Sequence, residues 1–121
     1  MKLLVERDKE IDNFTVFLAL FELHKSYLLL ISDQKEMGIG SVTIGSPPMI
    51  EGLKATSASY TLFGVYEKLL STIIAEKASY ILKAPVLLML FLKSKKEEET
   101  FIKPLVNFVD EILNEVLQKN H

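Results

Sequence analysis

Two histidines, sixteen acidic side chains and no cysteine are the chemically versatile groups of this 121-residue chain. Metal chelation or histidine catalysis needs imidazoles at set spacings, such as a pair four residues apart on one helix face. His24 lies between two apolar runs, where a turn is expected, and His121 is far away at the last position, so no such pair exists. Without cysteine there is no thiolate ligand, no cysteine nucleophile and no disulfide. Glu97, Glu98 and Glu99 are consecutive, and consecutive positions on a helix do not face a common point. They read as a solvated loop or a helix start, where acids favour the positive end of the dipole.

The remaining signatures are equally incomplete. Gly38-Ile39-Gly40 lacks the third glycine and following helix of a dinucleotide fingerprint. Gly52-Leu53-Lys54 lacks the upstream glycine and the hydroxyl residue of a phosphate loop. No serine stands in a Gly-x-Ser-x-Gly elbow. Ser32 and Asp33 lie beside a turn with no base in a predictable position. The expectation is a protein that binds, with no catalytic site, no metal and no cofactor.

The elements that would position any site follow from hydrophobic periodicity. Residues 1–13 are charged and lack a clear period, and read as a leader or an edge element. Phe14 to Leu23 and Ser26 to Ser32 are rich in β-branched and aromatic residues and predict two strands, with His24-Lys25 as the turn between them. Met37 to Ile44 predicts a third strand, ended by Pro47-Pro48, and residues 46–58 read as a mobile loop. Ser59 to Phe63 predicts a short fourth strand.

Tyr66 to Lys83 is read as a helix, with Tyr66, Leu70, Ile73, Ile74, Ala78 and Ile81 as its apolar stripe and Pro85 as its stop. Val86 to Leu92 predicts another strand. A second helix follows from about Glu98 to Lys119, burying Phe101, Leu105, Phe108, Val109, Ile112, Leu113 and Val116, with Pro104 in or near its first turn. The fold class expected is α+β: one domain over residues 1–121, an antiparallel sheet of about five to six strands in the order β-β-β-β-α-β-α, and two helices on one face.

Composition bounds the partners. Net charge is −2 and Arg7 is the one arginine, so the clustered basic surface that nucleic acid requires is missing. The longest apolar run, Ala84 to Leu92, is about half of what a helix needs to cross a bilayer. No secretory signal pattern opens the chain, and a cytoplasmic location is expected. Yet 49% of the residues are hydrophobic, which is high for so short a chain.

That excess sits in the strands. An antiparallel sheet with one wet face should alternate apolar and polar residues. Here Phe14, Val16, Leu18 and Leu20 point one way while Phe17, Ala19, Phe21 and Leu23 point the other. Val86, Leu88, Leu90 and Leu92 likewise oppose Leu87, Met89 and Phe91. Two helices cover one face, and a second copy stacked about 10 Å away is the simplest cover for the other. Roughly 800 Å² per subunit is the expected contact. Phe17, Phe21, Leu23, Met89 and Phe91 are the candidates for the dimer face, although the opposite parity is equally open at this point. His24, Lys25, Lys93, Lys95 and Lys96, charged and expected to be exposed, are the candidates for partner contact.

The hairpin Phe14–Ser32, then Lys35-Glu36-Met37-Gly38, then Leu62-Phe63-Gly64 before a helix, the apolar strand Val86–Leu92 and an amphipathic C-terminal helix carry a family likeness. Over about Phe14 to Leu117 the chain resembles the proteasome assembly chaperones of the third and fourth type, including their archaeal relatives. The resemblance implies a sheet with two helices on one face and dimerisation, with itself or a sister chain, through the other. It further implies binding of proteasome α-subunits to guide ring assembly. Some archaeal relatives carry a hydrophobic-Tyr-x tail; this sequence ends Leu117-Gln118-Lys119-Asn120-His121, so contacts from loops or helices are expected instead. Two other readings fit a small α+β chain: a roadblock- or longin-like regulatory scaffold that dimerises by sheet edges or helices, and a carrier whose second face lines a cavity for a small apolar ligand.

Overall fold

The computed structural model describes the backbone of residues 1–47, 56–61, 65–93 and 98–119. The elements are β1 (Lys2–Ile11), β2 (Phe14–Leu23), β3 (Ser26–Ser32), β4 (Ser41–Ser46), β5 (Thr56–Thr61), α1 (Val65–Leu82), β6 (Val86–Phe91) and α2 (Glu98–Lys119). They build one six-stranded sheet in the order β1-β2-β3-β6-β4-β5. The α+β class holds, with a correction to its strand directions: β3 and β6 run parallel, and every other pairing is antiparallel. A parallel pair needs a long crossover, and the β4–β5 hairpin with α1 supplies it.

The charged residues before Phe14 form a full edge strand. Their hairpin signal is Asp12-Asn13, both at positive φ (50° and 67°), which lets Ile11 pair with Phe14 directly across a two-residue turn. Asx side chains tolerate that left-handed backbone, which also matches the twist of the flanking strands. Thr100 Oγ1 donates to Asp12 Oδ2 at 2.7 Å and Phe14 meets Phe101 edge-on, so this turn is also where α2 docks.

Several expected boundaries shift. The third strand starts at Ser41, four residues later than Met37, because Gly40 passes against the β6 backbone: a Cβ there would lie 2.3 Å from the Leu90 carbonyl oxygen. Part of the loop expected at 46–58 is strand, since β5 begins at Thr56 and ends at Thr61 before reaching Phe63, while 48–55 lie outside the described residues. Helix α1 ends at Leu82, where Lys83 takes a left-handed φ of 54°, before Pro85 is reached. Pro104 lies near the first turn of α2 as expected, in its second turn, and its missing N–H leaves the carbonyl of Thr100 without the usual helical donor.

Both helices lie on the same side of the sheet. Helix α1 packs on β4, β5 and β6, α2 on β1, and the two touch each other. Between helices and sheet lies a continuous core in which Val16, Leu18, Leu20, Leu29, Ile31, Val86, Leu88, Leu90, Leu70, Ile74, Phe101, Leu105 and Leu113 are all buried. Gly45 sets how closely α1 approaches, because a Cβ there would sit 2.3 Å from the Ala75 carbonyl oxygen. The stripe predicted for α1 is rotated: Leu70, Ile74, Ala75, Ala78 and Leu82 are buried, whereas Ile73 is 37% exposed.

Candidate interaction faces

Strand register decides which side chains share the helix-free side. Phe17 pairs with Ser32, Ala19 with Leu30 and Phe21 with Leu28. The row continues from Leu28 to Leu87, Leu30 to Met89 and Ser32 to Phe91 on β6. It then runs from Met89 to Val42 and Leu87 to Ile44 on β4. Directly opposed residues point the same way, so these side chains form one apolar field spanning four strands. All but Ser32 keep partial exposure, and Ile44 is 46% exposed. Neither helix reaches them.

The candidates Phe17, Phe21, Leu23, Met89 and Phe91 therefore all stand on this open face, and the parity left undecided by the sequence falls on their side. Leu28, Leu30, Leu87, Val42 and Ile44 belong to the same face. They were legible only as apolar strand residues, because alternation alone does not say which parity a helix will cover.

One corner of the face is roofed by residues 33–40. The Ser32 hydroxyl donates to the Gln34 carbonyl and accepts from the Gln34 N–H, both at 2.9 Å, folding the chain back at the end of β3. Asp33 then fastens the fold to β6: its N–H donates to the Phe91 carbonyl at 3.1 Å, and its Oδ1 accepts from the Lys93 N–H at 2.9 Å. Gly38 lies against the Phe91 ring, where a Cβ would come within 2.7 Å of the ring carbon. Ser32 is consequently buried although it belongs to the open face. Beside this roof is a groove of about 190 Å³ between Glu6, Phe17, Ala19, Leu30, Lys35 and Met37. Among the described residues only this segment folds onto the open face.

The candidates for partner contact are not brought together. His24 and Lys25 form the exposed β2–β3 turn, with Lys25 at φ 52° and the Ser26 hydroxyl donating to the His24 carbonyl at 3.0 Å. Lys93 is exposed after β6. Because β6 runs parallel to β3, these sites lie at opposite ends of the sheet, roughly 20 Å apart at about 3.3 Å per residue. Lys95 and Lys96 lie outside the described residues.

A second apolar patch was not expected. Leu69 (56% exposed), Ile73 and Tyr80 (67% exposed) line the outward side of α1, following the three- and four-residue spacing of one helix face. Charges elsewhere serve the seam between β1 and α2. Arg7 Nη2 donates to Glu115 Oε1 at 2.8 Å and Lys119 Nζ approaches the same oxygen at 3.2 Å. Hydrogen bonds from Lys119 and Arg7 hold the Glu115 carboxyl below its usual range. No group of three or more histidine or acidic side chains among the described residues is placed to hold a metal, and no described helix is long and apolar enough to cross a membrane.

No protein-family model and no curated protein matches the chain. Solved structures do. One chain of a crystal structure described as a novel chaperone complex for yeast 20S proteasome assembly superposes over 97% of this chain and 95% of its own length, with a TM-score of 0.64 and 12% identity. At that identity the likeness shows shared architecture alone: this chain has the fold of a component of a proteasome assembly chaperone complex.

Proposed function

We propose that this protein is a non-enzymatic assembly chaperone that pairs through its open sheet face, with a second copy or a sister chain, and assists assembly of the proteasome α-ring by binding α-subunits. The observation that carries the reading is the apolar field from Phe17 across Leu30 and Met89 to Val42, left without a helix on a sheet whose other side carries both helices. Monomers rarely expose apolar patches beyond a few hundred Å², and a stacked second sheet would bury about 800 Å² from each partner. The fold shared with a chain of a proteasome assembly chaperone complex supports the client class.

Edge-to-edge pairing of the roadblock or longin kind is less favoured by β1, whose residues Glu6 to Glu10 are all charged and exposed at the sheet border; charged edges resist strand addition. The groove beside Met37, at about 190 Å³, is smaller than the roughly 300–1,000 Å³ of a typical small-molecule site. Sedimentation equilibrium of the full chain, followed by retention of purified α-subunits on the immobilised protein, tests the proposal. A dimer that retains α-subunits at micromolar concentration is expected. A dimer that retains none overturns the client, and a monomer overturns the pairing.

A further inference from the structure

The two borders of the sheet are built in opposite ways. Strand β1 closes one border and β5 the other, each hydrogen-bonded to a single neighbouring strand. A border strand of an antiparallel pair aims the N–H and C=O of alternate residues away from its neighbour, a template for one more strand. Strand β1 is protected against such addition. Glu6-Arg7-Asp8-Lys9-Glu10 is charged at every position. Its bases meet α2, where Arg7 reaches Glu115 and Lys9 Nζ sits 5.7 Å from the centroid of the Phe108 ring. Its acids border the open face, Glu6 in register with Ala19, Asp8 with Phe17 and Glu10 with Thr15. The pairing with β2 also slips between Leu3 and Val5. Charge and irregular pairing both oppose strand addition.

Strand β5 has neither protection. Thr56-Ser57-Ala58-Ser59-Tyr60-Thr61 contains no charge, no proline and no glycine, and Thr and Tyr favour extended backbone. It pairs with β4 over its whole length, from Ser41↔Thr61 to Ser46↔Thr56, without a register shift. Among the described elements it touches only β4 and α1. Helix α1 is seated across β4, β5 and β6 together, which puts it on the face of the sheet and leaves the in-plane border open.

The size of that border identifies its occupant. Six residues make an edge roughly 20 Å long, and a sheet layer occupies about 10 Å. The footprint, on the order of 200 Å², is far below the roughly 800 Å² per partner of a stable interface. A second folded copy joined here alone would not hold, whereas a single added strand needs no more than this edge. We propose that β5 is a strand-addition site, which takes an extended, uncharged segment of about six residues from a partner protein and holds it by main-chain hydrogen bonds. The site is separate from the pairing proposed for the open face and does not depend on it.

Amide hydrogen exchange of the full chain, followed residue by residue by NMR, tests the proposal with the peptide Ac-Ser-Val-Thr-Val-Thr-Ser-amide as probe. A saturating excess of peptide is expected to slow exchange at alternate residues of 56–61 by about tenfold, with 2–11 unchanged. The fully N-methylated peptide keeps every side chain but has no N–H to donate, and is expected to protect nothing. Protection of 2–11, or of Phe17 and Met89 on the open face, places the peptide elsewhere and overturns the proposal. Protection by the N-methylated peptide, or by neither peptide, overturns it as well. Protection of 56–61 that appears without peptide and grows with protein concentration makes a second copy the occupant, and overturns the assignment of a partner segment. Pairing through the open face is read separately, by sedimentation, so either idea fails without the other.

Discussion

The two faces of the sheet are built from interleaved residues of the same strands, yet only one of them is finished. On the covered face Val16, Leu18, Leu20, Leu29, Ile31, Val86, Leu88 and Leu90 are buried to 1% exposure or less. One residue along the chain in each case, Phe17, Ala19, Phe21, Leu28, Leu30, Leu87 and Met89 remain half-exposed. Both sets are equally apolar, so hydrophobicity alone does not separate the covered face from the open one. What separates them is the supply of covering elements: α1 and α2 lie on one side, and the 33–40 roof reaches only a corner of the other. A difference in how substitutions on the two faces behave is the direct test.

The largest effect is expected at Leu88, fully buried beneath α1. Leu88→Ala removes packed methyls and leaves a cavity, a loss of about 2–5 kcal/mol in denaturant unfolding. Next comes Gly45→Ala, whose new Cβ would press on the Ala75 carbonyl. Pushing α1 off β4 should cost about 1–3 kcal/mol in the denaturant midpoint; an unchanged midpoint would mean that α1 is not seated tightly on β4.

Met89→Lys, one position from Leu88, should do the opposite. Its side chain is half-exposed on the open face, so the unfolding free energy of the isolated subunit should change by less than about 1 kcal/mol. In the pairing proposed above, a lysine would be buried unpaired at the centre of the contact, and sedimentation is expected to show a monomer. Equal loss of stability at 88 and 89 would erase the distinction between the faces.

A smaller effect of reversed sign is expected at Ser71. Its hydroxyl is buried in α1 with no hydrogen-bond partner among the described residues, and relieving an unsatisfied polar group is worth about 1 kcal/mol. Ser71→Ala should therefore raise the melting temperature. The smallest effect belongs to Glu115. Its pKa is lowered in the folded state, so its contribution is present above the unfolded carboxylate pKa and is lost as pH falls through the folded value. Because the Glu115 side chain is 40% exposed and its ion pairs are screened by water, Glu115→Gln should barely move the melting temperature at pH 7 and should have no effect once the carboxylate is protonated.

Much of this was legible in advance because it depends on local pattern. The apolar runs of β2, β3 and β6 gave strands with both parities apolar, and that doubled pattern already demanded two covered faces. The i, i+4 spacing from Phe101 and Leu105 to Val109 and Leu113 placed the buried side of α2 correctly. Helix α1 was harder, because Leu69, Ile73 and Tyr80 make it apolar nearly all round, and periodicity cannot find the buried side of such a helix. The β1 strand is legible only as a leader or an edge element, because its signal is an alternation of charge, Glu6 to Glu10, rather than of hydrophobicity.

Sequence alone settled that this chain owns more apolar strand surface than two helices can hide, since composition and period are written along the chain. Tertiary structure alone decided which parity the helices took, that β6 inserts parallel to β3, and that the acids of β1 border the open face while its bases meet α2. Those outcomes depend on contacts between residues distant in sequence, and no local preference carries that information.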